Sequence, residues 1–521
     1  MDLRNTHLTP ITDVLRAIRA NGVELWAENG ALRYRAPKGG LSPAQLETLR
    51  LHKTSLVELL QGAVAEELSE PPPARASSAT HSGGPFSFSQ LWFWHLFQLE
   101  NRNLRTIACA THLHGDLQRG ALEAALTAVV QRHDALRTRI VLDKDGMPAQ
   151  EIADSPHYEL ASSDLTAVPG QQREVEAHRL MERFVLTPIA FGSGPLFGAK
   201  LIKLDQDDYI LLLAMDHMIS DAFSLSILVK DLFTAYRQSV RGEAVSLPPV
   251  TLQYSEYSAW QQRMQQSWIH KHAAYWSGRL AGHRQLRFPV ERATATSGVA
   301  GLTRLAFTID AQTTEALRDW ARLKRTTLAL VVLTLYAAVV LRWCDAPETI
   351  IQYKTSGRER EDRQNTIGYF ASLLCLRIQL SDQDRFADLA GRVVQEYLSA
   401  ARRGDLSYMA LQTERLEFAR NTIFNWIPRE ARSDLPLASE LEGTLLSRPV
   451  PLGNPALSHF NWDGDPELEI WEGEREITGH LYFTTDRFSV EAMRRLLETL
   501  TGFVSTMLTD ADVCVAALKH A

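Results

Sequence analysis

The chain has 521 residues, 45% hydrophobic and 22% charged, with a formal net charge of −7 and a pI near 6.2. That is ordinary globular-enzyme composition in a length of roughly three domains. The mildly acidic balance argues against a nucleic-acid partner, which asks for a basic face. The four cysteines, Cys109, Cys344, Cys375 and Cys514, have neither zinc-like nor redox-like spacing. They read as buried free thiols of a reducing compartment, with no metal site. The N-terminus MDLRNTHLTP lacks the apolar core of a signal peptide. The longest apolar run, 328–341, is too short to span a bilayer and reads as a buried helix. The expected location is therefore the cytoplasm, away from any membrane.

Residues 1–62 read as a compact unit. Asn5 or Thr6 caps a helix whose apolar positions are Ile11, Val14, Leu15 and Ile18, and Asn21-Gly22 stops it. VELWA and ALRYRA form a hairpin around Asn29-Gly30, a strong two-residue turn signal. Ser42-Pro43 opens a second helix, serine as N-cap and proline in the first turn. Residues 63–84 are a linker, and the stretch SEPPPARASSATHSGG at 69–84 has too little apolar surface to fold.

From Pro85 onward strands and helices alternate without a glycine-rich phosphate loop. AKLIKLDQDDYILLLAMDH reads as two strands joined by a polar turn at 205–208. The helix beginning at Ala222 carries an apolar stripe of Leu225, Leu228, Val229, Leu232, Phe233 and Tyr236. Further helices are expected at about 311–343 and 385–402.

The sharpest local feature is MDHMISDAFS at 215–224, where an apolar strand gives way to that helix. Asp216, His217 and Asp221 are costly to bury without partners, and strand-to-helix turns are common sites of chemistry. A histidine there can orient an attacking amine or hydroxyl, or take its proton near neutral pH. Taken alone, a histidine at a strand end is equally a satisfied structural residue.

The segments around it carry a resemblance. MDHMISDAFS resembles the HHxxxDG signature of nonribosomal peptide synthetase condensation domains, with Asp216 in place of the first histidine, His217 as the second, Asp221 as the aspartate and Ala222 for the glycine. SFSQLWFW at 87–94 is similar to SxAQxRLW, with Trp92 where arginine is usual; RHDALRTRI at 132–140 to RHExLRTxF; YSEYSAW at 254–260 to YxDYAVW; and IGYFASLLCLR at 367–377 to IGxFVNTxxxR. The last family motifs are weak or absent around Asp405 to Ile423. The resemblance covers about 85–515. Independently, the helix, hairpin and ALRYRAPKGGLSPAQLETLRLHK resemble the β-hairpin docking domains of modular synthetases, of the TubC type.

The first resemblance implies an α/β fold of two chloramphenicol-acetyltransferase-like lobes in a V-shaped pseudo-dimer, at 85–262 and 263–521. Between them a tunnel takes two phosphopantetheine arms, one carrying an acyl thioester and the other the nucleophile. The expected activity is transfer of an acyl, peptidyl or polyketide chain to an amine or hydroxyl acceptor, giving an amide or ester, with chain release when the acceptor is a free small molecule. His217 lies at the meeting point, with Asp216 on the channel; Asp221 pairs with an arginine, for which the motifs nominate Arg137; His133 is structural. No cofactor is bound by the chain itself. Asp216, Asp221 and Ser224 also fit the DxxxxDxxS pattern of heterocyclisation domains, which generally lack a histidine after the first aspartate, and an inactive docking scaffold is a further reading. The second resemblance implies that Arg33, Arg35 and Lys38 receive the acidic C-terminal tail of an upstream acyl or peptidyl carrier protein. Without adenylation or carrier segments, the chain reads as a stand-alone enzyme or an excised piece.

Overall fold

The computed structural model describes residues 24–28, 31–35, Leu49 and most of 83–517, apart from 101–105, 155–157, 188–193, 284–285, 290–301, 359, 382, 405–421, 430–438, 443–444, 451–465 and 511–512. The two helices expected in the N-terminal unit, Lys38 and the linker up to residue 82 lie outside the described residues, except that Leu49 is helical and buried. The hairpin is present: β1 (Glu24–Glu28) pairs antiparallel with β2 (Ala31–Arg35). Glu28 faces Ala31, which leaves Asn29 and Gly30 as a two-residue connection. Arg33 and Arg35 are exposed, opposite Trp26 and Glu24 respectively.

The main body is built on two six-stranded sheets. In the first, β4 (Thr106–His114), β9 (Asp208–Asp216) and β8 (Phe197–Asp205) are antiparallel neighbours, and β7 (Ala161–Asp164) closes one edge. One face packs on α2 (Arg119–Arg132) and α4 (Ala222–Val240), the other on α3 (Gly170–Leu186). The second sheet has the order β10 (Leu302–Ile309), β17 (Ile477–Thr484), β16 (Glu467–Glu472), β13 (Thr422–Ile427), β11 (Glu348–Thr355) and β12 (Ser372–Gln379). The fold is the expected α/β arrangement of two sheet-centred lobes.

The divisions along the chain differ from the expected ones in three places. Gly83 and Gly84, assigned to the linker, belong to β3 (Gly83–Pro85), paired with β6 (Pro148–Ile152), whose other neighbour is β5 (Thr138–Leu142). Gly83 has φ +122°, and a Cβ there would stand 1.8 Å from the Gln150 carbonyl oxygen, so the approach requires glycine. The boundary drawn between 262 and 263 falls inside a continuous helix, α5 (Tyr254–Leu280). And β15 (Leu445–Val450), from the second half of the chain, crosses to the first sheet and pairs with β4, from Leu446 opposite His114 to Val450 opposite Ala110. It brings β14 (Ser439–Glu442) with it as the outer strand. An unpaired edge strand exposes backbone hydrogen-bonding groups, and the crossing strand satisfies those of β4.

The helical run expected at 311–343 is two helices, α6 (Ala311–Leu323) and α7 (Leu328–Trp343), bent by 103°. Arg325 has φ 54°, which a continuing helix cannot accommodate, and Thr327 caps the restart by accepting from the Leu330 N–H. Every residue from 328 to 341 is buried, as the unbroken apolar run requires. The helix expected near 385–402 is present as α8 (Phe386–Ala401). Among the described residues no single helix is long and apolar enough to cross a membrane. Cys109 and Cys375 are buried, and burial pushes the Cys109 thiol up to about 12.

Leu333 is fully enclosed on α7, whereas Leu323, at the end of α6, is 76% exposed. Leu333→Ala is expected to cost about 2–5 kcal/mol in chemical denaturation, and Leu323→Ala to stay within about 0.5 kcal/mol of the parent.

Candidate active site

β9 ends at Asp216 and α4 begins at Ala222, so the six residues from Asp216 to Asp221 make a tight strand-to-helix turn. Three interactions shape it. A carboxylate oxygen of Asp216 accepts from the Met218 N–H at 2.8 Å, the Ser220 hydroxyl donates to the Asp216 carbonyl at 2.8 Å, and the imidazole Nδ1 of His217 lies 2.9 Å from the Ser220 carbonyl. A carbonyl oxygen only accepts, so neutral His217 carries its proton on Nδ1 and presents Nε2 as the basic nitrogen. The ring is held on both sides. It stacks on Phe93 at 5.3 Å with a 24° interplanar angle and meets the edge of Tyr369 at 5.1 Å and 84°. Phe93 is fully buried on α1 (Phe88–Glu100), and Tyr369 on the loop before β12 is nearly so.

Asp221 is the N-cap of α4. One carboxylate oxygen accepts from the Ser224 N–H and hydroxyl, both at 2.8 Å. Its long-range partner is Arg358, not Arg137. The Arg358 guanidinium donates to both Asp221 oxygens at 2.9 and 3.1 Å, and the Phe370 N–H donates to one at 3.1 Å. Both side chains are buried, with 2% and 4% of their surface exposed. Arg358 also donates to the carbonyls of Arg363 at 2.6 Å, Thr366 at 2.8 Å and Gly368 at 3.1 Å, and lies over the Phe370 ring at 4.6 Å. Arg137 has nearer partners: its guanidinium bonds Asp134, three residues back in the same short 3-10 turn, and the Ala153 carbonyl, each at 2.6 Å. That local carboxylate fixes it within the first lobe.

Arg358 escaped the sequence reading, although a signal was present. It follows a glycine at the end of the apolar strand β11, in TSGRER, shortly before IGYF. Gly357 has φ +63°, and a Cβ there would stand 2.0 Å from the Phe370 carbonyl oxygen, so glycine turns the chain to aim Arg358 inward.

The resembling segments meet around this turn. Gln90 donates to the Met218 carbonyl at 3.0 Å. The Ser87 hydroxyl lies 2.8 Å from the Tyr254 hydroxyl, which donates to the Tyr369 carbonyl at 2.8 Å. Gly368 lets the Tyr254 ring approach: a Cβ there would stand 2.1 Å from it. His133, fully enclosed, hydrogen-bonds Asp231 at 2.8 Å, and burial holds its pKa below the usual range. It braces α2 against α4, away from the turn. Arg33 and Arg35 belong to the separate hairpin, and Lys38 lies outside the described residues.

His217 thus sits at a strand end between Phe93 of the first lobe and Tyr369 of the second, in the segment that resembles the condensation-domain signature. The comparisons agree. The condensation-domain pattern matches residues 84–520 and the TubC N-terminal docking-domain pattern matches residues 11–62. The chain belongs to the condensation-domain family of nonribosomal peptide synthetases, with a docking domain at its N-terminus. It is 30% identical over 443 residues to phosphinothricin tripeptide synthetase PhsC of Streptomyces viridochromogenes, covering 83% of this chain and 40% of the relative. It is 27% identical over 443 residues to enniatin synthetase of Fusarium oxysporum, covering 83% and 14%. The chain thus spans less than half the length of these relatives. In fold it is similar to the X-domain from teicoplanin biosynthesis (TM-score 0.74, 22% identity, 86% of this chain and 100% of that one). It is also similar to the first condensation domain of the calcium-dependent antibiotic synthetase in complex with a substrate analogue (TM-score 0.68, 18% identity, 85% and 100%).

The buried pair makes a direct prediction. Asp221→Ala and Arg358→Ala are each expected to cost about 3–5 kcal/mol by leaving the other charge buried alone. The double variant should cost clearly less than the sum of the two, read from urea denaturation in a double-mutant cycle. Additive losses would separate the two residues energetically.

Proposed function

We propose that the chain transfers an acyl, peptidyl or polyketide chain from a carrier-protein phosphopantetheine thioester to an amine or hydroxyl acceptor, forming an amide or ester. The observation that carries the reading is the fixed His217 imidazole, with Nδ1 committed to the Ser220 carbonyl. Nε2 then orients the nucleophile or takes its proton as the nitrogen or oxygen adds to the thioester carbonyl. The first turn of α4 adds backbone N–H groups and the positive end of the helix dipole to stabilise the developing oxyanion. Addition forms the new C–N or C–O bond; collapse of the adduct restores the carbonyl, breaks the C–S bond and expels the pantetheine thiolate, which takes up the proton lost by the nucleophile. With a free small-molecule acceptor, the same step releases the chain. Phosphopantetheine enters as the carrier's arm, as substrate rather than cofactor. A carboxylate oxygen of Asp216 serves the turn by accepting from Met218, which favours condensation over heterocyclisation.

His217→Ala should lower transfer by about 10²-fold or more with the fold retained. Intact-protein mass spectrometry of a loaded carrier, before and after enzyme and acceptor, reads this directly. Unchanged turnover in the variant would remove His217 from the mechanism. No transfer by the parent would favour an inactive scaffold, and loss of a water beyond simple transfer would favour heterocyclisation.

The docking unit supplies the donor. Arg33 and Arg35 share one face of β2 by the two-residue period of a strand, and Lys38 follows three residues on. A hairpin edge accepts an extended peptide by strand addition, and basic side chains favour the acidic tail of an upstream carrier protein. Charge acts mainly on encounter rate and partner choice. Deleting residues 1–62 should therefore leave turnover of a small thioester mimic nearly unchanged and slow transfer from the cognate carrier. Added salt should weaken carrier transfer more in the full chain than in the truncated one. Equal use of the carrier by both forms at low micromolar concentration would refute the docking role.

A further inference from the structure

The second sheet has two unlike faces. Tyr353, Phe424, Leu468 and Ile470 alternate onto the face that packs on α7, α8 and α9 (Val490–Thr509). The residues between them point the other way, and there polar groups stand among apolar ones, with Cys375 and Ile423 on either side of Gln352. Register sets them side by side: Gln352 opposite Ile423 and Lys354 opposite Asn425, Asn425 opposite Glu469, and Glu467 opposite Tyr482.

Gln352, Glu467, Glu469 and Tyr482 are buried although polar, and Lys354 and Asn425 are half-buried. Glu467 is fully enclosed and Glu469 is 7% exposed. Lys354 donates to Glu467; Asn425 donates to Glu469 at 3.0 Å, and so does the Tyr482 hydroxyl at 3.3 Å. Gln352 is 3% exposed, and its side-chain Nε2 has no hydrogen-bond partner among the described residues. A buried donor left unmet costs about 1–3 kcal/mol. A ligand that brings an acceptor atom removes that cost.

The face adjoins the His217 turn. β11 carries Gln352 and Lys354 and then delivers Arg358, four residues on, to Asp221. Tyr369, edge-on to the His217 ring, is buried, and that burial, with lesser contributions from the Asp221 and Glu467 carboxylates, pushes its phenol pKa up.

We propose that this face of the second sheet is the wall that reads the acceptor, and that it selects a hydrophilic acceptor with hydrogen-bonding groups beside its nucleophile. Gln352 supplies the specificity-determining donor, and the Lys354–Glu467 pair fixes the wall's polarity without removing it. The proposal rests on the acyl-transfer reading above.

The test uses a matched pair of acceptors, 2-amino-1,3-propanediol and 2-aminopropane, with the full chain and a thioester donor. The parent should favour the diol by about tenfold or more in kcat/KM, and Gln352→Leu should shrink that ratio about tenfold. Gln352→Met, closer in shape, guards against a folding defect and should act likewise. A parent that does not discriminate, or a ratio kept by both variants, would overturn the proposal. If neither amine is acylated, equilibrium dialysis of the same pair decides. Selective diol binding that is lost in Gln352→Met would uphold the wall and fault the acyl-transfer reading. Equal binding of both amines would overturn the wall.

Discussion

The site depends on one buried ion pair between sequence-distant segments. Asp221 belongs to the turn after β9 and Arg358 to the loop after β11, 137 residues apart. Burying two charges is costly, and the cost is recovered only if every remaining donor and acceptor finds a partner. Here the carboxylate also takes N–H groups from Ser224 and Phe370, and the guanidinium reaches three carbonyls. Such a network fixes geometry more than it adds stability. It holds the start of α4, and with it the turn bearing His217, against the second lobe.

From that clasp the geometry of the His217 turn follows by short steps. Asp221 caps α4, the turn closes through Asp216 and Ser220, and the Ser220 carbonyl then dictates the His217 tautomer. Phe93 comes from the first lobe and Tyr369 from the second, so the ring orientation is itself a product of lobe contact. The crossing strand β15 and the continuous helix α5 tie the same lobes elsewhere. A site assembled in this way suits the positioning role proposed for His217, since aligning two reactants removes much of a barrier.

Local pattern made much of this legible. The Asn-Gly hairpin, the buried run at 328–341, the strand pair before 216 and the helix after 221 follow from periodicity and turn chemistry. His217 and Asp221 stood out because polar residues interrupt an apolar strand end. What failed was long-range pairing. Arg137 lay in a strong motif, but its own neighbour Asp134 satisfies it, and spacing along the chain says nothing about which arginine folds across to Asp221. The crossing of β15 was equally hidden, since a strand's composition does not reveal which sheet it joins. The break between α6 and α7 rests on the left-handed Arg325, a conformation that the surrounding helix-forming residues do not announce.

The central claim is that the Arg358–Asp221 clasp sets the His217 imidazole for chemistry. Nitrogen-15 NMR of histidine-labelled protein, with His217 assigned by its absence in His217→Gln, tests this at the atom concerned. At neutral pH the account predicts a protonated Nδ1 and an unprotonated Nε2 in the parent, and loss of that single tautomer in Arg358→Met. A proton on Nε2 in the parent, or an unaltered His217 signal in Arg358→Met, would contradict it.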